Sequence, residues 1–512
     1  MSHAVNRRSF LVRSSAVGAA GVGAGLGDLA FLSKLRPVSA DEARPEPSAV
    51  RLRPEIEPLV TLLEETPRDE VIERVADKIR RGTSYREIVA ALMLAGVKNV
   101  QPRPSVGFKF HAVLVVNSAH IASVSSPDGD RWLPILWAID NFKSAQARDE
   151  REGNWTMGPV EESAVPPATK ALKEFRRAMD KWDEPAADAA VAALARTAGA
   201  NQVFEEFFRY GARDYRSIGH KAIYVANSWR TLDMIGWQHA EPVLRSLAYA
   251  LLNHQGEPNP AESDLAADRA GRRNESLAEE IRDDWQEGEL SKDATTEMLS
   301  ALREGSSDDA ADKAIELINR RVNPQSVWDA CLVGAGELLM RQPGIVALHA
   351  MTTSNALRYA YDASGSDNTR RMLLLQNASF LPLFREGMGG RGRVRDRAVD
   401  ELEATPPESD GAEAIAEVFA DVSEDRLRAA RKILALLENG TPAGDLIDAA
   451  RRLVFLKGDD SHDYKFSSAA LEDYYKVSPK WRDRYLAASV FNLHGSGEED
   501  NPLTHRIRSA LA

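Results

Sequence analysis

The sequence predicts an all-α protein in which helical-hairpin repeats pack into one compact multi-helix unit around a His-lined pocket. Three observations carry this prediction. Apolar residues recur at helical spacing almost throughout, no convincing run of alternating apolar and polar residues marks a strand, and one helix–turn–helix pattern returns four times with a histidine in the same place.

The chain opens on Asn6-Arg7-Arg8-Ser9-Phe10-Leu11, the paired arginines and following Phe and Leu of a twin-arginine signal. A weakly apolar run rich in Ala and Gly covers Ala16 to Phe31, and Val38-Ser39-Ala40 is a small-x-small cleavage site. The alternatives are a stray basic segment or a membrane anchor. An anchor needs about 20 solidly apolar residues, whereas this run is shorter and contains Asp28. Val12 departs from the pattern, which often has Lys there. The expectation is a signal peptide over residues 1–40, export to the periplasm by the twin-arginine translocase, and a mature chain of residues 41–512 without a membrane span. Resemblance to such signals also implies a passenger that crosses folded, often with a cofactor already bound.

The 512 residues are 43% apolar, enough for a sizeable core, and carry a net charge of −12. Residues 1–40 hold five basic side chains against one acidic, which leaves the remainder at −16. That charge argues against nucleic acid or an anionic membrane surface as the main partner. The single cysteine, Cys331, rules out an intrachain disulfide, a Cys-based zinc site and a Cys-ligated iron–sulfur cluster. Its setting, Trp328-Asp-Ala-Cys-Leu-Val-Gly-Ala, reads as buried core rather than as a nucleophile.

Along the chain, Tyr85 to Gly96 has i, i+3, i+4, i+7 apolar spacing with Ser84 as a cap. Leu172–Trp182, Ala186–Ala198, Ser276–Gln286 and Ala412–Leu437 read as helices in the same way. Three polar, turn-rich stretches, near 148–168, 255–275 and 387–410, read as surface excursions. In the last, the Arg391–Arg397 cluster reads as a solvated basic loop rather than an anion grip.

The repeat is the most informative feature. An apolar helix, a turn-rich segment and a second helix with an early histidine occur as Tyr85…Phe110-His111, Val203…Gly219-His220, Val327…Leu348-His349 and Leu446…Ser461-His462. The histidines lie 109, 129 and 113 residues apart. In the first three copies Asn117, Asn227 and Asn355 follow six or seven residues later, about two helical turns on and on the same face. One histidine on an apolar helix face is usually a core residue bonded to a carbonyl. Four in register, if the hairpins share an axis, converge on one pocket and cannot all be charged. They would bind a transition metal, bond to the asparagines, or hold a polar substrate. A metal would take His111, His220, His349 and His462 as ligands. Nucleotide-binding loops, H-E-x-x-H, G-x-S-x-G and the Glu-x-x-His pairs of di-iron bundles are absent from the sequence.

These segments resemble the questin oxidase-like family. Trp237-Gln-His239-Ala-Glu-Pro-Val-Leu-Arg-Ser-Leu-Ala-Tyr-Ala-Leu is similar to that family's His-containing helix. Ala347-Leu-His349-Ala-Met-Thr-Thr-Ser-Asn355-Ala-Leu-Arg358 resembles its His-Ala-x-Thr segment, with Asn355 where a second His is common. Asp459-Asp-Ser-His462-Asp-Tyr-Lys465 resembles its terminal motif, and Phe110-His111 fits more loosely. The resemblance implies an all-helical enzyme that opens an aromatic ring with molecular oxygen in a Baeyer–Villiger-like step. By that analogy His111, His239, His349 and His462 line the pocket as bases, and Lys465 or Asn355 stabilises an oxyanion. His220, Asn117, Asn227 and Asn355 would contact the substrate.

The resulting expectation is an exported oxidoreductase acting on a small aromatic or phenolic compound. A non-catalytic helical scaffold and a His-liganded metal-binding protein stand as alternatives.

Overall fold

The computed structural model describes residues 55–102, 110–253 and 258–512, all within the unit Pro47–Ala512. The twin-arginine segment and its cleavage site lie outside the described residues. The chain forms α1 (Glu57–Glu65), α2 (Val71–Arg80), α3 (Tyr85–Asn99), the one-turn α4 (His111–Leu114), α5 (Val116–Val124) and α6 (Leu133–Glu152). Next come α7 (Ala168–Asp180), α8 (Glu184–Thr197), α9 (Ala200–Gly211), α10 (His220–Ile235), α11 (Ala240–Leu252) and α12 (Ala266–Leu277). After these follow α13 (Lys292–Glu304), α14 (Ser307–Asn319), α15 (Pro324–Arg341), α16 (Ile345–Ala363) and α17 (Asp367–Met388). The chain closes with α18 (Gly411–Glu424), α19 (Arg426–Glu438), α20 (Ala443–Lys457), α21 (Ser461–Asp473), α22 (Arg482–Ser489) and α23 (Pro502–Leu511). Among the described residues there is no strand, only an isolated parallel bridge between Glu289 and Val322. No described helix is long and apolar enough to cross a membrane.

Polar side chains fix several of the helix starts. Ser84 accepts from the Glu87 amide while Glu87 reaches back to Ser84, a capping box that opens α3. Asp460 and Asp463 do the same at the head of α21. Each such cap satisfies backbone donors that the first turn leaves without partners.

The four repeats are four helical hairpins. In each, the second helix packs on its own predecessor and on the second helices of neighbouring repeats. Thus α3 packs on α4–α5, α9 on α10, α15 on α16, and α20 on α21. Meanwhile α5, α10, α16 and α21 touch in a closed cycle, α5 to α10 to α16 to α21 and back to α5. The inner helices are therefore apolar on most of their circumference, and α15 behind them is buried from Ser326 to Met340. Cys331 is fully buried there. Burial pushes its thiol well up, which makes it inert core.

Three sequence expectations need correction. Ser276–Gln286 is not a helix: α12 ends at Leu277, and Ile281 and Trp285 are anchored in irregular backbone. Trp285 Nε1 donates to Asp367 and Arg282 to the carbonyl of Ile318, so tertiary bonds override the helical period. Ala412–Leu437 is two helices, broken at Asp425, whose backbone is extended and whose carboxylate caps Leu427 and Arg428. The excursions are also shorter than their composition suggests. α6 continues to Glu152, and α12 already begins at Ala266; residues 254–257 lie outside the described set. In the third excursion Arg391 is exposed, while Arg397 docks on the Met340 carbonyl and over Phe491.

Candidate metal centre

Each repeat delivers its histidine from the start of an inner helix. His111 is the first residue of α4, His220 the first of α10 and His462 the second of α21, while His349 lies just inside α16. The head of α10 approaches the middle of α16 closely: Gly219, in a left-handed conformation at φ +84°, lies where any Cβ would overlap the Thr353 hydroxyl.

The four imidazoles are all buried, with ligand atoms within 4.8 Å of one another. Nε2 of His220 lies 3.0 Å from Nε2 of His111 and 2.8 Å from Nε2 of His349. Ring centroids of His111 and His462 are 4.5 Å apart, and those of His349 and His462 are 5.3 Å apart. Two rings are oriented from behind. Nδ1 of His349 donates to the Ile345 carbonyl at 2.7 Å, and Nδ1 of His462 lies 2.7 Å from the Asp460 carboxylate. Such contacts hold the hydrogen on Nδ1 and turn an Nε2 lone pair inward.

Burial keeps two of the four rings neutral. Burial holds His111 and His349 well below the ordinary imidazole range, helped by the positive charge of Lys465 and the neighbouring rings. Lys465, one turn beyond His462, is buried, and its Nζ has no hydrogen-bond partner among the described residues. Burial lowers it to about 7, against the attraction of Asp460. Burial also works against the Asp460 anion, but hydrogen bonds from His462 hold its carboxyl below the usual range.

The asparagines form a separate layer, two turns further along the bundle. Asn117 Nδ2 lies 3.5 Å from Asn227 Oδ1, and Asn227 donates to the Leu114 carbonyl at 3.0 Å. Asn355 donates to Glu472 at 2.9 Å and to Asp473 at 2.8 Å. Arg230 links the set, with Nη1 3.3 Å from Asn355 Oδ1 and Nη2 2.6 Å from Glu472. The fourth repeat has no Asn at the equivalent position, and its Glu472 and Asp473, about a turn further on, bond to Asn355 instead. Burial and the neighbouring Glu472 push Asp473 up to about 8.

His239 is not in the cluster. It precedes α11 in the turn that follows α10. A helix of that length is about 24 Å long, so His239 belongs to the far end of the helix that His220 opens. The structure therefore brings together His111, His220, His349 and His462, with Lys465 close enough to depress two of them, and leaves His239 apart. Sequence reasoning missed Asp460, Arg230, Glu472 and Asp473. The signal for Asp460 was present: Asp460-Ser-His462-Asp463 is a helix-capping pattern, and a capping carboxylate next to a histidine can orient it.

No family model matches the chain, no curated protein matches it, and no solved structure matches it.

Proposed function

We propose that the chain is a metal-dependent oxidoreductase in which one transition-metal ion is held by His111, His220, His349 and His462. The observation that carries this reading is a shortage of protons. His349 spends its hydrogen on the Ile345 carbonyl, so its Nε2 presents a lone pair to His220. If His220 Nε2 carries the hydrogen for that contact, it has no lone pair left for His111, only 3.0 Å away. One hydrogen cannot make good bonds across both short contacts, and protonating further rings is opposed by burial. A cation among the nitrogens satisfies every lone pair at once. Imidazole donors suit iron, copper, zinc and nickel.

Lys465 supports a reactive centre over a purely structural one. A buried amine near neutrality can take up a proton, or donate a hydrogen bond to a small molecule bound at the ion. The substrate class is a small aromatic or phenolic compound, as the questin oxidase-like resemblance implies, with molecular oxygen as co-substrate. The nearest large cavity to the head of α21, about 560 Å³ and lined by Arg68, Asp69, Trp137, Asp140, Asp459 and Arg506, includes none of the four histidines; Trp137 in its wall stacks on Tyr464 with ring centroids 4.2 Å apart. Export in the folded state, which the twin-arginine resemblance implies, would accord with a centre loaded before translocation.

A second reading follows from the neutrality of His111 and His349: a cofactor-free oxidase in which these rings act as bases on a phenolic proton. The two differ in metal content. Elemental analysis of the protein purified after export, beside the variant with all four histidines replaced by Ala, separates them. The metal reading expects about one equivalent of iron, copper, manganese or zinc, lost in the variant. A native protein that holds none and takes up none on addition overturns it. Oxygen uptake with quinols, abolished by His349→Ala in a folded protein, would then support the cofactor-free route.

A further inference from the structure

The loop from α9 into His220 holds a second concentration of charge. Arg213 is fixed there on three sides. Its Nη1 donates to the Met179 carbonyl at 3.0 Å. Its guanidinium lies 5.0 Å from the Trp182 ring centroid and 5.1 Å from that of Tyr210. The backbone carbonyl of Arg213 presses on Gly271, where any Cβ would overlap it. The remaining edge of the guanidinium, Nε and Nη2, is buried with no hydrogen-bond partner among the described residues. That edge presents two parallel N–H bonds, the pair that matches two oxygens of one oxyanion.

Arg213 also lines a cavity of about 200 Å³ with Arg209, Arg272, Asp180, Asp268 and Glu275. The carboxylates in its wall already have partners. Asp268 takes two hydrogen bonds from Arg216, at 2.8 and 2.6 Å, Glu275 one from Arg209 at 2.7 Å, and Asp180 one from the Tyr210 hydroxyl at 2.8 Å. Behind them Lys221 pairs with Asp214 at 2.7 Å. Five cations therefore meet four anions, and the surplus positive charge sits on a group desolvated on most sides. A buried guanidinium with two idle donors is costly. Pockets for drug-sized molecules run from about 300 to 1,000 Å³, so this one suits a smaller guest.

We propose that this cavity binds a small oxyanion, a phosphate or a carboxylate, gripped side-on by Nε and Nη2 of Arg213, with Arg209 and Arg272 in the same wall. The site is distinct from the four histidines and does not depend on a metal among them. It shares with them the loop Arg213–Gly219, so an occupied anion seat braces the segment that presents His220.

Titration calorimetry of the full chain with sodium phosphate, sulfate and acetate tests this. The expected result is saturable binding of one equivalent. Tighter binding of phosphate and sulfate than of acetate would assign a tetrahedral oxyanion, and the reverse order a carboxylate. Arg213→Lys keeps the charge but loses the two-pronged edge, so affinity should fall about tenfold, the worth of a charge-assisted hydrogen bond, with the circular dichroism spectrum unchanged. No saturable binding of any of the three anions overturns the proposal, as does a folded Arg213→Lys variant that binds as tightly as the native protein. Should that variant not fold, the Arg213 Nε–H resonance of the native protein decides: it shifts on titration if Arg213 grips the anion and stands still if it does not.

Discussion

At the residue scale, what a side chain faces matters more than its type. Lys465 is buried with no acceptor among the described residues, which costs folding stability. Lys465→Met should raise the melting temperature, by on the order of 1 kcal/mol or more in stability since an unpaired polar group is removed, while depressing turnover. A melting temperature that falls would show that the amine is satisfied in solution. Asp473 gives a pH test. Its folded pKa of about 8 lies above the ordinary aspartate value, so the folded chain keeps a proton that the unfolded chain releases. The stabilisation is complete below about pH 4 and is lost as pH rises towards 8. Asp473→Asn should flatten that slope, read as urea midpoints of both proteins at pH 5, 7 and 9; parallel curves would refute it. The four histidines were legible in the sequence because their spacing repeats. The grouping of Asn117, Asn227 and Asn355 on the same face was legible too, as was their offset of about two turns from the imidazoles, but not the bonds of Asn355 to Glu472 and Asp473. Six or seven residues at about 1.5 Å rise put them roughly 10 Å down the helix axis. His239 was misplaced because a phrase that resembles a family's carries no direction in space, whereas the end of α10 does.

At the element scale, the start of α10 governs the centre. Gly219 has φ +84°, and its missing Cβ makes room for Thr353. Gly219→Ala should cost about 1–3 kcal/mol from the backbone strain alone, with more from the collision, and should move His220 off its neighbours. Chemical denaturation reads the first effect and bound metal per chain the second; a variant with native stability and metal content would contradict this account. Helices with a strong period and a clear cap, such as α3 behind Ser84, were legible in full. The break at Asp425 was not, because the apolar period runs through it and only the capping aspartate marks it. Ile281 and Trp285 kept a helical period in irregular backbone because bonds to Asp367 and Ile318 hold them from outside the segment.

At the scale of the whole molecule, four hairpins close into a cycle whose inner helices meet at the imidazoles. All-α architecture could be read from periodicity, and the common axis could be inferred from the repeat, but the cyclic order could not, since every inner helix is apolar on most faces. If one ion joins all four hairpins, its binding energy is linked to folding of the entire cycle. Prolonged dialysis against a strong chelator should therefore lower the melting temperature cooperatively, and readdition of the metal should restore it. A scan unchanged by chelation, in protein shown to have lost its metal, would mean that packing alone closes the cycle.

The spacing of the four histidines has a further consequence, in time. His111, His220, His349 and His462 leave the ribosome one after another, more than a hundred residues apart. On the proposed metal reading, a nascent chain with three of them exposed would offer an incomplete, exchangeable seat in which competing ions could come and go. The last imidazole arrives already aimed by Asp460 and sits beside Lys465, three residues behind it. If the four imidazoles hold an ion as proposed, commitment to it would fall at the end of synthesis, when the fourth hairpin docks, and its identity would be set by what the compartment of folding supplies at that moment.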